Sequence, residues 1–247
     1  MFGAVSTRFC LQMSCHLFSP PVLEYGVFTK SQAQEKRREP TPDFKRCAQA
    51  NQKTAVRVNL DSQNSTEVSE AVRKNTDVAK QMNWVLQLYT PLSSLTYLHD
   101  YIVDSGVTFA FDHFGHTLVG SKTNVSMNTY DPYRSAGFRE LIDLVQRKIM
   151  FVKISGPYRD SNQAPLYEDM RVVAETIINA GPDMVVYGSD WPHTPQTVGD
   201  QLQVQDFQDI NDAALVEITK DWAGSDAQIQ RLFVDNPRRL WQWYEDS

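Results

Sequence analysis

Met184-Val185-Val186-Tyr187-Gly188-Ser189-Asp190-Trp191-Pro192-His193 is the stretch on which the fold turns. An apolar run of strand length passes straight into Gly-Ser-Asp, and Trp191-Pro192 then stiffens the turn that follows. A strand is expected here that delivers a carboxylate at its C-terminal end. The same grammar recurs upstream. Val152-Lys153-Ile154 leads into Ser155-Gly156-Pro157-Tyr158-Arg159, Phe109-Ala110-Phe111 into Asp112-His113, Val85-Leu86-Gln87-Leu88 into Tyr89, and Ala55-Val56-Arg57-Val58 into Asn59.

Working outward, strands are read over residues 55–60, 83–89, 107–112, 150–154 and 184–187. Amphipathic helices are read over 66–81, capped by Thr66 with Glu67 and Glu70 in its first turns, and over 91–104, with Pro91 in its first turn. A long polar loop runs through Arg134, and further helices are expected over 136–147, 166–179, 206–221, 226–234 and 237–244. Short buried strands separated by such helices pair in parallel through right-handed crossovers. Either a doubly wound sheet or part of a (β/α)8 barrel meets that description. Polar side chains at the end of every strand favour the barrel, whose mouth gathers those ends. Neither G-x-G-x-x-G nor G-x-x-x-x-G-K-[ST] occurs, so a dinucleotide or P-loop site lacks its phosphate cradle. Residues 1–53 show no sustained period and read as an irregular segment with a short helix near 31–38, ahead of a domain at 54–247.

Composition narrows the function. With 30 acidic against 24 basic residues the net charge is -6, which argues against a protein that neutralises nucleic-acid phosphates, and the run Lys36-Arg37-Arg38 reads as solvated loop. No apolar run reaches the ~20 residues that span a bilayer. Cys10, Cys15 and Cys47 form no C-x-x-C pair, so neither a disulfide framework nor a zinc knuckle is indicated, and a cytoplasmic location is expected. The first 23 residues hold no acid and one arginine, a faint likeness to a transit peptide without an apolar core or cleavage site.

Asp190 is placed to take a proton from water as a general base, or alternatively to cap the turn. His113 can polarise a carbonyl or be a satisfied structural group, and Gly115 lets the backbone turn sharply; His116 reads as structural. Lys153 alternates with apolar neighbours and can point inward. Arg159 offers a planar fork for a carboxylate, or a surface salt bridge. Arg57, inside an apolar strand, needs an anion from protein or ligand. Trp241-Gln242-Trp243-Tyr244 reads as helix packing, and Asn64-Ser65-Thr66 and Asn124-Val125-Ser126 match the glycosylation triplet without a secretory signal.

At Val56–Asn59, Gln87–Tyr89, Asp112–Gly115, Val152–Arg159, Gly188–His193 and Val234–Pro237 with Leu240, the chain resembles the amidohydrolase-related family, most closely its 2-pyrone-4,6-dicarboxylate lactonase-like branch. The pieces come in family order and cover roughly residues 55–244. The resemblance implies a TIM-barrel hydrolase of a small cyclic ester or related carboxylated compound. Asp190 would be the base on water, His113 the group polarising the scissile carbonyl, and Arg57, Tyr89 and Arg159, with Gln87, the holders of a carboxylated substrate. No metal or other cofactor is expected in the lactonase-like branch; related amidohydrolases and decarboxylases use one divalent ion such as zinc. The family opens with a strand ending in His-x-His, which this chain lacks. The expected fold is therefore an incomplete barrel carrying strands four to eight, either as a shortened gene product or with residues 1–53 as an irregular substitute. The alternatives are a catalytically inactive member with a binding or partner role and a metal-dependent decarboxylase of the same superfamily. Nothing in the sequence sets the oligomeric state.

Overall fold

The computed structural model describes residues 22–25, 55–123, 125–193 and 208–242. Six strands form one sheet in chain order: β1 Val22–Tyr25, β2 Ala55–Asn59, β3 Val85–Tyr89, β4 Phe109–Phe111, β5 Met150–Ser155 and β6 Val185–Gly188. Every neighbouring pair is parallel. That order decides between the two architectures. A doubly wound sheet reverses direction part-way and carries helices on both faces. Here each right-handed crossover steps the same way, which lays the helices on one face, as in the wall of a barrel.

Those helices are α1 Ser65–Met82, α2 Leu95–Ser105, α3 Phe138–Gln146, α4 Arg171–Ala180, α5 Asp212–Ala223, α6 Asp226–Gln230 and α7 Asn236–Leu240. From α1 to α5, each packs on the next. The strands alternate accordingly. Val56, Val58, Leu86, Leu88, Phe109, Phe111, Val152 and Ile154 are at most 2% exposed and form the sheet's contribution to the core. The intervening positions carry Arg57, Gln87, Lys153 and Ser155, and the register pairs Arg57 with Gln87 and Asn59 with Tyr89. Because the side-chain period of a strand is two, this polar set lies on the opposite face.

The five expected strands are present, and their boundaries differ for local reasons. Asn64, not Thr66, caps α1: its Oδ1 accepts from the backbone N–H of Thr66 at 3.1 Å and of Glu67 at 3.3 Å. Asn83 ends α1 in the left-handed region at φ 54°, so β3 begins only at Val85. The separate helices read over 226–234 and 237–244 are one continuous run, because the π-helical turn Arg231–Asp235 joins α6 to α7. Pro237 follows directly on the π-helical turn, at the head of α7. Asn236 beside it donates to the Pro182 and Val185 carbonyls at 2.9 and 2.7 Å, tying the tail to β6.

Strand β1 lies within the stretch read as irregular. It is four residues long and follows Pro20-Pro21, too short to show a period of its own. The short helix expected near 31–38, the run Lys36–Arg38, the start of the helix expected from 206, Asn124, Trp243 and Tyr244 lie outside the described residues.

Candidate active site

The loops leaving β4, β5 and β6 converge on Asp190. Two adjacent residues of the Pro157–Arg159 turn reach its Oδ2: Tyr158 Oη donates at 2.5 Å and Arg159 Nε at 2.5 Å. Asp190 itself has φ +63°, a conformation costly to a residue with a Cβ, and it is held there by these partners. Burial would raise its carboxyl, but the Arg159 guanidinium and the two hydrogen bonds act against it, and Asp190 lies below the usual carboxylate value. Burial, with the charge of Asp190 and the hydrogen bond to it, pushes the Tyr158 phenol far up, so Tyr158 stays a proton donor.

His113 faces Asp190 from the end of β4. Its Nε2 lies 3.7 Å from Asp190 Oδ1, too long for a hydrogen bond. On the other side of the ring Nδ1 lies 3.0 Å from Ser155 Oγ. Nδ1 also lies 3.3 Å from the Ser155 carbonyl, which only accepts and so favours a proton on Nδ1, whereas the Ser155 hydroxyl donating to Nδ1 places the ring proton on Nε2, toward the carboxylate. Burial lowers the His113 imidazole to about 3, against the pull of Asp190 and Asp112, so the ring is neutral. The backbone makes an unusual turn to place it: His113, Phe114, Gly115 and His116 have φ of 46°, 51°, 68° and 54°. Left-handed backbone costs roughly 1–2 kcal/mol per residue with a side chain. Phe114, fully buried against the Trp222 ring, offsets that cost. At Gly115, φ +68°, a Cβ would stand 2.7 Å from Leu141 Cδ2, which would have to shift.

Below this pair, on the polar face of the sheet, Asp112 is 1% exposed. Arg57 Nη2 approaches its Oδ2 at 3.0 Å, Lys153 Nζ its Oδ1 at 3.0 Å, and Gln87 Nε2 donates to Oδ2 at 2.8 Å. Burial would raise Asp112; the charges of Lys153 and Arg57 hold it well below the carboxylate range instead. The anion that Arg57 requires is thus supplied by the protein. Lys153 does point inward, with its ammonium 5.7 Å from the centroid of the buried Trp241 ring. Tyr89 packs edge-on against His116 at 4.4 Å and His113 at 5.6 Å, with the Arg57 guanidinium 5.1 Å from its ring centroid. His116 approaches Asp160 at 3.8 Å and lines the back of the cluster.

All six residues singled out from the sequence therefore gather here, Asp190, His113, Arg159 and Tyr89 around the mouth and Arg57 and Gln87 on Asp112. Sequence reasoning gave no role to Tyr158, Ser155, His193 or Asp112, although each stands within a quoted motif. A cavity of about 410 Å3 between the loop after β4 and α4, lined by Met127, Glu168, Arg171 and Glu175 among others, shares no residue with this cluster.

Among the described residues no three His, Cys, Asp or Glu side chains form a metal-binding group. Asp190 Oδ2 already holds a guanidinium, which would repel a second cation at that oxygen. The described donors do not fit a resident divalent ion. No helix among them is long and apolar enough to cross a membrane.

Residues 32–243 match the Amidohydrolase family. The chain is 28% identical over 160 residues to the 4-sulfomuconolactone hydrolase of Hydrogenophaga intermedia, covering 65% of this chain and 47% of that protein. It is 28% identical over 134 residues to the D-galactarolactone isomerase of Agrobacterium fabrum, covering 54% of this chain and 40% of that protein. The chain thus spans less than half the length of these two relatives. The crystal structure of a probable 2-pyrone-4,6-dicarboxylic acid hydrolase from Acinetobacter baumannii superposes with a TM-score of 0.59 at 18% identity, over 92% of this chain and 85% of that one.

Proposed function

The chain belongs to the Amidohydrolase family, and from that premise we propose that it hydrolyses a small lactone bearing an acidic substituent, with Asp190 activating water and His113 polarising the carbonyl. The observation that carries this reading is the facing of Asp190 Oδ1 and His113 Nε2 at 3.7 Å, with the opposite side of each group already held. An oxygen beside them can accept from Nε2–H while a water gives its proton to Oδ1. Asp190, ionised at neutral pH, takes that proton as the water oxygen bonds the carbonyl carbon. His113, neutral and hydrogen-bonded by Ser155, donates to the oxygen on which charge develops. The proton on Asp190 then goes to the departing ring oxygen as the ester bond breaks, which restores the carboxylate. A cytoplasmic setting and independence of metal belong to the same reading.

The acidic substituent follows from the guanidiniums. Arg57 and Arg159 both lie close enough to Tyr89 to lower its phenol against the larger effect of burial, so Tyr89 stands between two cations as a neutral donor. Arg159, paired with Asp190, keeps a positive charge beside the base, which suits a carboxylate or sulfonate. The names of the relatives support the reading, since they act on acidic lactones.

The test is hydrolysis of 2-pyrone-4,6-dicarboxylate and 4-sulfomuconolactone, with γ-butyrolactone as the neutral control, by wild type and Asp190→Asn. Turnover of an acidic lactone that Asp190→Asn abolishes is expected. Equal rates for the two proteins would remove Asp190 as base. Binding of acidic lactones without turnover would give the inactive, ligand-binding role instead.

A further inference from the structure

Tyr158 has one phenolic proton and two side-chain acceptors, besides the Asp190 carbonyl at 3.4 Å. Asp190 Oδ2 lies 2.5 Å from its oxygen and His193 Nδ1 3.3 Å. His193 is 5% exposed, and its other nitrogen, Nε2, lies 3.0 Å from Asp212 Oδ2. A carboxylate oxygen only accepts, so Nε2 carries the ring proton and Nδ1 presents a lone pair to Tyr158. Asp212 comes from another element altogether, the first turn of α5. It is not spent on capping that helix: Asn211 does so, its Oδ1 accepting from the Ala214 N–H at 3.1 Å. Its second oxygen, Oδ1, is buried and makes no other hydrogen bond.

We propose that Asp212 and His193 are positioning residues for Asp190, acting through Tyr158 as a two-way donor. While Asp190 is ionised, the phenol donates to Oδ2, the shorter of its two side-chain contacts. When Asp190 has taken the proton from water on Oδ1, its Oδ2 is a weaker acceptor than the carboxylate was, and the Tyr158 O–H rotates to His193 Nδ1. No bond is broken in this exchange and no proton leaves the tyrosine; only the direction of one hydrogen bond changes. Asp212 makes it possible by fixing the tautomer of His193, just as a third group orients the base in a catalytic triad. The chain Asp190–Tyr158–His193–Asp212 therefore lets one site serve both charge states of the base. This rests on Asp190 being the base, as proposed above.

Two measurements test it. In the first, Asp212→Asn is expected to lower kcat on the acidic lactone about tenfold with KM within about twofold, and Asp212→Glu to recover most of the loss. In a Tyr158→Phe background the same Asp212→Asn change should cost nothing further. An unchanged kcat, or an equal loss with and without the phenol, would overturn the proposal. In the second, which needs no turnover, ring nitrogen NMR signals of His193 are followed. Asp190→Asn should shift Nδ1 in the otherwise wild-type protein and not in Tyr158→Phe. A Nδ1 signal blind to Asp190, or equally shifted without the phenol, would overturn it. Failure of the base itself is seen separately, as activity that survives Asp190→Asn.

Discussion

Asp190 Oδ2 lies only 2.8 Å from the point where a Cβ on Gly156 would stand. The same Cβ would come 3.0 Å from His113 Nδ1, so the bare Cα of Gly156 is what allows base and imidazole to meet against the end of β5. Gly156 also has φ +55°. Gly156→Ala is expected to displace both groups by a few tenths of an ångström or more. A misplacement approaching 1 Å costs roughly 100-fold in rate. The backbone adds roughly 1–2 kcal/mol of strain. Steady-state kinetics should show the loss in kcat, and thermal melting a folded protein with a modestly lower Tm.

Asp112 holds both Arg57 and Lys153. Removing its charge takes away the buried anion that Arg57 and Lys153 share. Breaking a buried pair by deleting one partner costs about 3–5 kcal/mol. Asp112→Asn should lose that order of stability in urea unfolding, whereas Arg57→Gln should lose less, because Lys153 and Gln87 still serve Asp112. Similar losses from the two variants would show that Asp112 is not the centre of the cluster.

His113 gives stability a pH dependence whose sign is fixed. Its folded value, about 3, lies below the ordinary 6.5 because burial disfavours the charged ring. Between those values the unfolded chain binds more protons than the folded one. The contribution is therefore fully present above about pH 6.5 and is lost as pH falls toward 3. His99 acts oppositely: its hydrogen bonds to Asp100 and Asp143 outweigh burial and raise it, so its contribution is present at low pH and lost as pH rises through its folded value. The difference between wild type and His113→Asn isolates the first effect. That difference should shrink steadily from pH 6.5 down to 4; a constant difference would mean that His113 is charged in the folded state.

The strand pattern was legible because each strand meets helices on one face and a polar interior on the other, so apolar residues alternate with Arg57, Gln87 and Lys153. The motif at Asp190 was legible because a strand end followed by a stiff turn leaves few places for a carboxylate to go. What escaped was whatever depends on two distant segments meeting. Tyr158 resembled any other loop tyrosine until the Pro157–Arg159 turn brought it and Arg159 onto one oxygen. Asp112 looked like an approach to His113, and only the parallel register of β2 to β5 sets it among Arg57, Gln87 and Lys153. Boundaries failed where one side chain decided them, as Asn64 and Asn83 do at the ends of α1.

The loop that carries Arg159 is held from outside the site, and that gives a final prediction. Asp169, 4% exposed just before α4, accepts from Ser121 Oγ and Ser161 Oγ, each at 2.5 Å. Ser121 follows β4 and Ser161 follows β5, so one carboxylate ties two loops together. Lys122, next to Ser121, donates to the Arg159 carbonyl at 2.7 Å. Asp169→Ala removes the shared acceptor and leaves two hydroxyls to find new partners, at about 1–3 kcal/mol. Because the two hydroxyls sit in loops, that cost should fall on local opening rather than on the sheet. Hydrogen exchange should speed up across residues 157–163 while β5 itself keeps its protection. KM for an acidic lactone should rise as the Arg159 fork loses its fixed position, with kcat less affected. Faster exchange throughout the sheet would instead make Asp169 part of the global fold, and would separate it from the placing of Arg159.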